Sequence, residues 1–544
     1  MIAVPARDRR DMLGWAAIVV ALLVAAPSLA NGFAYDDLPL VVENGRITTL
    51  LPPWAYFTQS YWPAGGLYRP LTVWLLALQW QLGGGAPWIF HATNVALHAV
   101  ATGLVYLLAR RLMAPAWAAV AAALFAVHPV HVEAVANVVG ISELLCSAFV
   151  LAAVLLALHG MRSGFTPGIR LAVIGCGLAA AVSKEQGFVT PALLLATATF
   201  ASPPWRTALR RIAPVAVAMT VLLSALLFLR AGVLGGLAGD EPAAPLRDLA
   251  ASGRMFVALG TVPQWARLLL WPAHLSFDYS PPGYLVSPLP GAVHMVALLL
   301  LLAAGWIAWA CRSRAPAVSL GVAWIAIALL PVSNLVLPTG ILLAERTLYL
   351  PSVGVVLAVG GLAAMTAGWI TSRPGHGALL AAMAVVILLG AVRSLARTGV
   401  WRDNERLLRQ VAIEAPRNYR AHRTLALHLD RQGHLDDAAR EYRRSIELWG
   451  RDGKVYEDLA ILLDRQGRDA EAATVLRDGL VVDPSAPTMR SKLYYIEASR
   501  GDWPAARAAA AAGLAQGDTM FASLVVRADS ALRAAASTPT ITAQ

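Results

Sequence analysis

Two stretches decide the architecture of the C-terminal part of the chain: YRAHRTLALHLDRQG at 419–433 and GKVYEDLAILLDRQG at 453–467. Each closes on the same triplet, Arg431-Gln432-Gly433 and Arg465-Gln466-Gly467, and Arg500-Gly501 follows in phase. The glycines are spaced 34 and 34 residues apart. Around them the residue sizes repeat. Leu425, Leu459 and Leu493 share one position. Ala438, Ala472 and Ala506 share another, where a small residue lets two helices approach. Tyr442 and Leu476 share a large position, and Pro484 closes the second repeat. Asn404, Leu408 and Pro416 fit the last helix of a partial repeat before these.

A period of 34 residues is that of the TPR helical hairpin, so residues 401–520 are read as a TPR α-solenoid. Residues 521–544 follow as a C-terminal helix and tail, with Ser537 to Gln544 expected to be disordered. TPR stacks bind peptides, and they also simply brace a domain. Outward from the repeats the composition changes. The 544-residue chain is 58% hydrophobic and only 14% charged, where soluble domains carry about 25% charged residues. Charge is thin up to about residue 400 and dense from Arg402 to Arg507. Two regions with different solvents follow, and the first, 1–400, belongs in a membrane.

A membrane helix needs roughly 20 apolar residues. Candidate spans are 12–31, 88–110, 114–136, 141–159, 169–183, 187–201, 211–230, 290–311, 317–337, 349–371 and 377–394, about 11 in all, with those near 169–201 short. Residues 71–82 and 255–272 read as interfacial helices, because they are short or interrupted by Gln79, Gln81, Arg254, Gln264 and Arg267. The first span is read as uncleaved, since Asn31-Gly32-Phe33 is a poor cleavage site. Arg7, Arg9 and Arg10 then lie in the cytoplasm. Every inside loop is basic: Arg110-Arg111, Arg162 and Arg170, Arg206 with Arg210 and Arg211, Arg312 and Arg314, and Arg373. An odd number of crossings puts the C-terminal repeats outside the cytoplasm. The long outside loops are 32–87 and 231–289.

Several function classes are excluded or disfavoured. The net charge of +11 sits at helix ends, and no basic run is interleaved with aromatics, so nucleic-acid binding is not expected. Cys146, Cys176 and Cys311 form no CxxC pair, which argues against a disulfide framework or a zinc site.

The unusual polar residues of the membrane half fall on one face of this topology. Asp36 and Asp37 follow the first span; adjacent carboxylates at an interface suit a general base, although acidic residues also cap helices. Lys184, one of three lysines in the chain, sits beside Glu185, and Arg346 sits beside Glu345. These cations, with Arg69, are candidates for holding a lipid phosphate; the plain alternative is ion pairs snorkelling to the interface. Asp278 lies in the second long loop. His128, His131 and Glu133 could suggest a metal, but Pro129 breaks the helix there and no HExxH-like pair is present. They read better as shaping the end of the third span. His91 and His98 are expected to make interhelical hydrogen bonds.

Taken in order, YDD, YRPLT, FHATNVALH, FAVHPVHVEAVANVVGISELL, SKEQG, LSFDYS and ERTLYLPSVG, then VWRDNERLL and the repeats, resemble the transmembrane-and-TPR-repeat (TMTC-like) protein O-mannosyltransferase family and its bacterial relatives. The resemblance runs from about residue 12 to 515. It implies an all-α, GT-C-type glycosyltransferase that takes a sugar from a polyprenyl-phosphate carrier on the non-cytoplasmic face. It makes Asp36 or Asp37 the catalytic base and places Lys184 and Arg346 near the lipid phosphate. One departure stands out: family members often carry a basic residue after the glycine where this chain has Gly140-Ile141-Ser142-Glu143.

The function expected from residues and resemblance together is transfer of mannose or a similar sugar to a hydroxyl of a protein Ser or Thr, with the TPRs holding the polypeptide. The partners are then a lipid-linked donor, a polypeptide and the bilayer. A divalent metal is compatible with this chemistry, but no ligand cluster implies one. The Ala- and Arg-rich, Lys-poor composition points to a GC-rich bacterium, and so to the inner membrane with a periplasmic site and undecaprenyl phosphate as carrier. The competing readings are a lipid-linked sugar transporter, for which no half-to-half repeat is found, and a non-catalytic membrane scaffold displaying TPRs.

Overall fold

The computed structural model describes residues 9–537 apart from 64, 203, 237–241, 248, 285–286 and 337. Arg7 and the tail at 538–544 lie outside the described residues. Among those described, all regular elements are helical, and the one isolated bridge joins Pro282 to Asn418. The chain divides into two compact units: Met1–Phe277 with Val286–Leu407, and Asp278–Leu285 with Leu408–Gln544.

In the first unit, seven described helices are long and apolar enough to cross a membrane: Met12–Ala30, Pro87–Ala109, Val138–Ser163, Trp205–Leu234, Ala292–Cys311, Glu345–Trp369 and Arg373–Trp401. The pair Pro115–Ala126 and Pro129–Ala136 passes the same test when taken together, bent by 47° where Pro129 interrupts the ladder, and makes an eighth if it is one span. Pro167–Ser183 and Pro316–Val332 are shorter apolar helices, and Thr190–Ala201 has 12 residues. The segments read as spans fall on these eleven elements, of which seven, or eight with the bent pair as one span, are long and apolar enough to cross. Pro70–Gly83 and Ala251–Leu270 are helices outside that set. The chain is a multi-pass membrane protein.

Local sequence explains several helix starts. Pro87, Pro115, Pro167 and Pro316 each open a helix, where the missing N–H is no loss and φ is already helical. Packing inside the unit relies on small residues, as expected where lipid is as apolar as leucine. Helices Pro316–Leu329 and Tyr349–Trp369 cross at Gly321 and Gly354. A Cβ on either glycine would collide with the other's carbonyl oxygen, so the crossing admits no side chain. Around it Trp324, Tyr349, Phe125 and Leu350 fill a continuous core. By contrast, Ala292–Cys311 and Arg373–Trp401 are only 11% and 6% buried over their apolar windows, which leaves their faces to lipid.

The second unit is a stack of helical hairpins: Tyr419–Arg431 with Leu435–Leu448, Gly453–Arg465 with Asp469–Val482, and Pro487–Ser499 with Trp503–Ala515, then Met520–Ser537. Gly433, Gly467 and Gly501 sit at the hairpin turns with φ of 82°, 70° and 78°, a left-handed backbone that a Cβ disfavours. Ala438, Ala472 and Ala506 are fully buried at the helix contacts, as are Tyr442 and Leu476. The segment Asp278–Leu285 joins this unit: Gly283 N–H donates to Arg417 O at 2.9 Å, and Tyr419 N–H to Pro281 O at 3.2 Å.

Candidate active site

The site is assembled in the first unit from the ends of several apolar helices. After the first span, the turn 31–37 is strapped to later chain. Gly32 N–H donates to Arg402 O at 2.8 Å, and Tyr35 N–H to the Asn404 side-chain oxygen at 2.9 Å. His91 Nε2 approaches Gly32 O at 3.2 Å. Tyr35 is held at φ 54°, left-handed for a bulky residue, with its ring 4.5 Å from that of Phe277. Backbone strain of this kind persists only where surrounding contacts over-determine it, and it gathers at functional sites.

The next two residues go to different partners. Asp37 is fully buried. Its carboxylate accepts N–H groups from Ala34 at 3.2 Å, Val138 at 3.3 Å and Val139 at 3.0 Å, pinning the turn to the 3-10 turn Val138–Gly140. Burial pushes this carboxyl up to about 7, against the pull of those three amide donors. Asp36 instead reaches a partly open position, where its Oδ2 lies 2.6 Å from Arg346 Nη1.

Arg346 is the hub. Its backbone N–H donates to Glu133 Oε2 at 2.8 Å, and its Nε lies 3.6 Å from Glu133 Oε1 and 3.9 Å from Glu143 Oε1. Glu143 in turn pairs with Lys184 Nζ and accepts the Ser142 hydroxyl at 2.6 Å. Arg69 clasps Glu185, Nη2 to Oε2 at 2.8 Å and Nε to both oxygens at 3.2 and 3.3 Å, and lies over the Tyr61 ring at 4.8 Å. Arg69 Nη1 also reaches Ser142 Oγ at 3.5 Å. Burial lowers the Lys184 ammonium, with Glu143 opposing it. The Glu185 carboxyl is drawn down by Arg69 in spite of burial. Gly187 lets the turn after Lys184 fold back, because a Cβ there would strike the Ala180 backbone.

Asp36, Arg69, Glu133, Lys184, Glu185 and Arg346 are thus brought into one buried charge network. Glu345 is beside it, accepting the Ser276 N–H. Three other candidates go elsewhere. Asp278 belongs to the second unit, where its Oδ1 accepts from the Asn418 side-chain amide at 3.0 Å and Arg420 Nη1 lies 3.5 Å from its Oδ2. His128 Nε2 meets Leu269 O at 3.0 Å, and His131 Nε2 meets Ser352 Oγ at 2.7 Å. Both belong to a buried cluster with His98, Phe125 and Tyr349, and His98 links three helices through Tyr349 OH at 2.8 Å and Ala126 O at 3.1 Å. No group of metal-ligating residues forms among the described residues.

Glu143 is the residue that motif reading passed over. Its signal was present: a carboxylate in the first turn of an apolar span is costly and calls for a partner. Ile141 is buried in one cluster with Val138, Val139, Leu145 and Tyr61.

Residues 68–229 match the family model described as dolichyl-phosphate-mannose-protein mannosyltransferase. The chain is 27% identical to protein O-mannosyl-transferase Tmtc1 of Drosophila melanogaster, over 81% of this chain and 62% of the fly protein. It is 28% identical to human protein O-mannosyl-transferase TMTC4, over 79% of this chain and 66% of that one.

In sequence the chain resembles these protein O-mannosyl-transferases.

The chain spans 62% and 66% of the lengths of these two relatives. Among solved structures, ArnT from Cupriavidus metallidurans bound to undecaprenyl phosphate aligns over 85% of this chain and 80% of its own, at 17% identity and a TM-score of 0.39. The family-model match contains Arg69, Glu133, Glu143, Lys184 and Glu185; Asp36 and Arg346 lie outside it and join the network through space.

Proposed function

We propose that this chain is a GT-C-type membrane glycosyltransferase. It moves a sugar, mannose or similar, from a polyprenyl-phosphate carrier to a hydroxyl of a protein Ser or Thr on the non-cytoplasmic face. The TPR unit, on the same side of the membrane, holds the polypeptide and raises its concentration. The setting is the inner membrane of a bacterium, with the N-terminus in the cytoplasm.

The observation that carries the reading is the Asp36–Arg346 pair at 2.6 Å, a partly open carboxylate beside a cation in a buried network that follows the first span. In the step proposed, the acceptor oxygen forms a bond to the anomeric carbon and its proton passes to Asp36. The bond from that carbon to the carrier's phosphate oxygen breaks, and the electron pair leaves with the phosphate. One displacement inverts the anomeric centre. Arg346 stabilises the charge that develops on the phosphate, and Arg69 and Lys184 support it from the second rank. Asp37 holds the loop that carries Asp36.

One observation favours a second reading. Each of the three cations already has a carboxylate partner, as a purely structural clamp in a TPR-displaying scaffold would require. Membranes supplied with labelled polyprenyl-phosphate sugars separate the two. Label reaching protein with wild type and not with Asp36→Asn supports transfer; no wild-type-dependent label from any donor, with the protein folded, favours the scaffold.

A further inference from the structure

Arg346 serves three carboxylates at once: Asp36 at 2.6 Å, Glu133 at 3.6 Å and Glu143 at 3.9 Å. These partners differ in what else holds them. Glu143 also has Lys184 and the Ser142 hydroxyl, and Glu133 accepts the Arg346 backbone N–H. The Asp36 side chain is held by Arg346. Exposure separates them further, at 14% for Asp36 against 1% for Glu133 and 2% for Glu143. Released from Arg346, Asp36 can be solvated, whereas Glu133 would be left in low dielectric and Glu143, as buried, already shares Lys184.

A guanidinium fork suits phosphate as well as carboxylate, so an arriving phosphate competes with the carboxylates for Arg346. One of the three has to yield, and Asp36 is the most exposed of them and the one with least else holding it.

We infer that the donor's phosphate displaces Asp36 from Arg346, so that donor binding itself frees the base for the acceptor. The inference rests on the transferase reading for the identity of the phosphate. While the pair is closed, Arg346 holds Asp36 Oδ2 and fixes the direction of the carboxylate. Once the phosphate takes the guanidinium, the carboxylate is free to turn to the acceptor hydroxyl. Donor therefore binds before acceptor, and an empty enzyme keeps its base turned to Arg346.

The test is binding of undecaprenyl phosphate to the full-length chain in nanodiscs, with inorganic phosphate as a parallel arm. Removing the competing carboxylate should tighten binding: Asp36→Asn, and independently Asp36→Ser, are expected to bind roughly 5-fold or more tightly than wild type. Arg346→Gln should weaken it by a similar factor. Tightening confined to the lipid makes the polyprenyl chain part of the ligand; tightening with inorganic phosphate as well shows that the headgroup suffices, and either supports the displacement. Equal or weaker binding by both Asp36 variants overturns it. Transfer assayed on the same wild-type preparation keeps the two readings apart. Transfer without tightening leaves the transferase standing and removes the displacement. Tightening without transfer from any donor does the reverse.

Discussion

Asp37 faces three amide N–H groups and no solvent, while its neighbour Asp36 faces one guanidinium and an opening. Replacing Asp36 by Asn should therefore cut transfer by roughly 100-fold or more with little change in melting temperature, measured as label incorporation beside thermal denaturation. Asp37→Asn should behave otherwise. Its amide has one oxygen to offer three N–H donors, and its NH2 meets one of them head on, so it should lose about 1–3 kcal/mol of stability. The pH dependence has a definite sign. Burial raises the Asp37 carboxyl from 3.8 to about 7, so between those values the folded state keeps a proton that the unfolded state has lost. Stability then falls as pH rises through that window, by an amount on the order of 4 kcal/mol if nothing offsets it. Asp37→Asn should flatten the slope, and an unchanged slope in its melting profile from pH 4 to 7 would contradict the assignment. The adjacent acids were legible as a pair from their place after an apolar span. Their division of labour was not, because it depends on Val138 and Arg346, which are remote in sequence. Glu143 was hidden for the related reason that an acid in a helix's first turn looks like ordinary capping. Asp278 was placed with the membrane half because it lies between two spans; its contacts with Asn418 put it in the other unit.

Among the elements, the repeat hairpins were the most readable. A glycine every 34 residues is a backbone demand, and Gly433, Gly467 and Gly501 all adopt the positive φ that imposes it. Gly467→Val should destabilise the repeat unit by about 1–2 kcal/mol, read as an earlier solenoid transition in circular dichroism. The crossing of Gly321 and Gly354 makes a different demand, one of volume, since both backbones occupy the space a side chain would need. Gly354→Leu should abolish stable folding of the membrane unit, whereas Gly305→Leu, on the lipid-facing helix with nothing near its Cβ position, should be tolerated. Equal yields of the two variants from detergent extracts would refute the crossing. Span boundaries were harder to read than hairpins. Prolines at Pro129, Pro167 and Pro316 break or start helices inside long apolar runs, so a hydropathy window cannot tell a bent crossing from two short helices.

At the scale of the whole chain, the fall in charge before residue 400 and its rise after Arg402 was the clearest signal, because two solvents require two compositions. The basic loops carry a prediction about sidedness. Alkaline phosphatase fused at residue 517 should be active in cells, and a fluorescent protein that folds only in the cytoplasm should stay dark there; the opposite pattern would remove the TPR unit from the side proposed for transfer. The separation of Asp36 from Arg346 by 310 residues has a consequence for biosynthesis. As the chain leaves the ribosome, the loop bearing Asp36 is made first, and Glu133 and Glu143 follow without the arginine that will neutralise them. Lys184 reaches Glu143 early, but Glu133 and Asp36 wait until nearly two thirds of the polypeptide has been translated. Until then the nascent bundle holds carboxylates whose burial is unfavourable, so those helices cannot settle into their final packing. The arrival of Arg346 is the event that lets them close, and a transcript interrupted before that codon would yield an inserted but unlatched product.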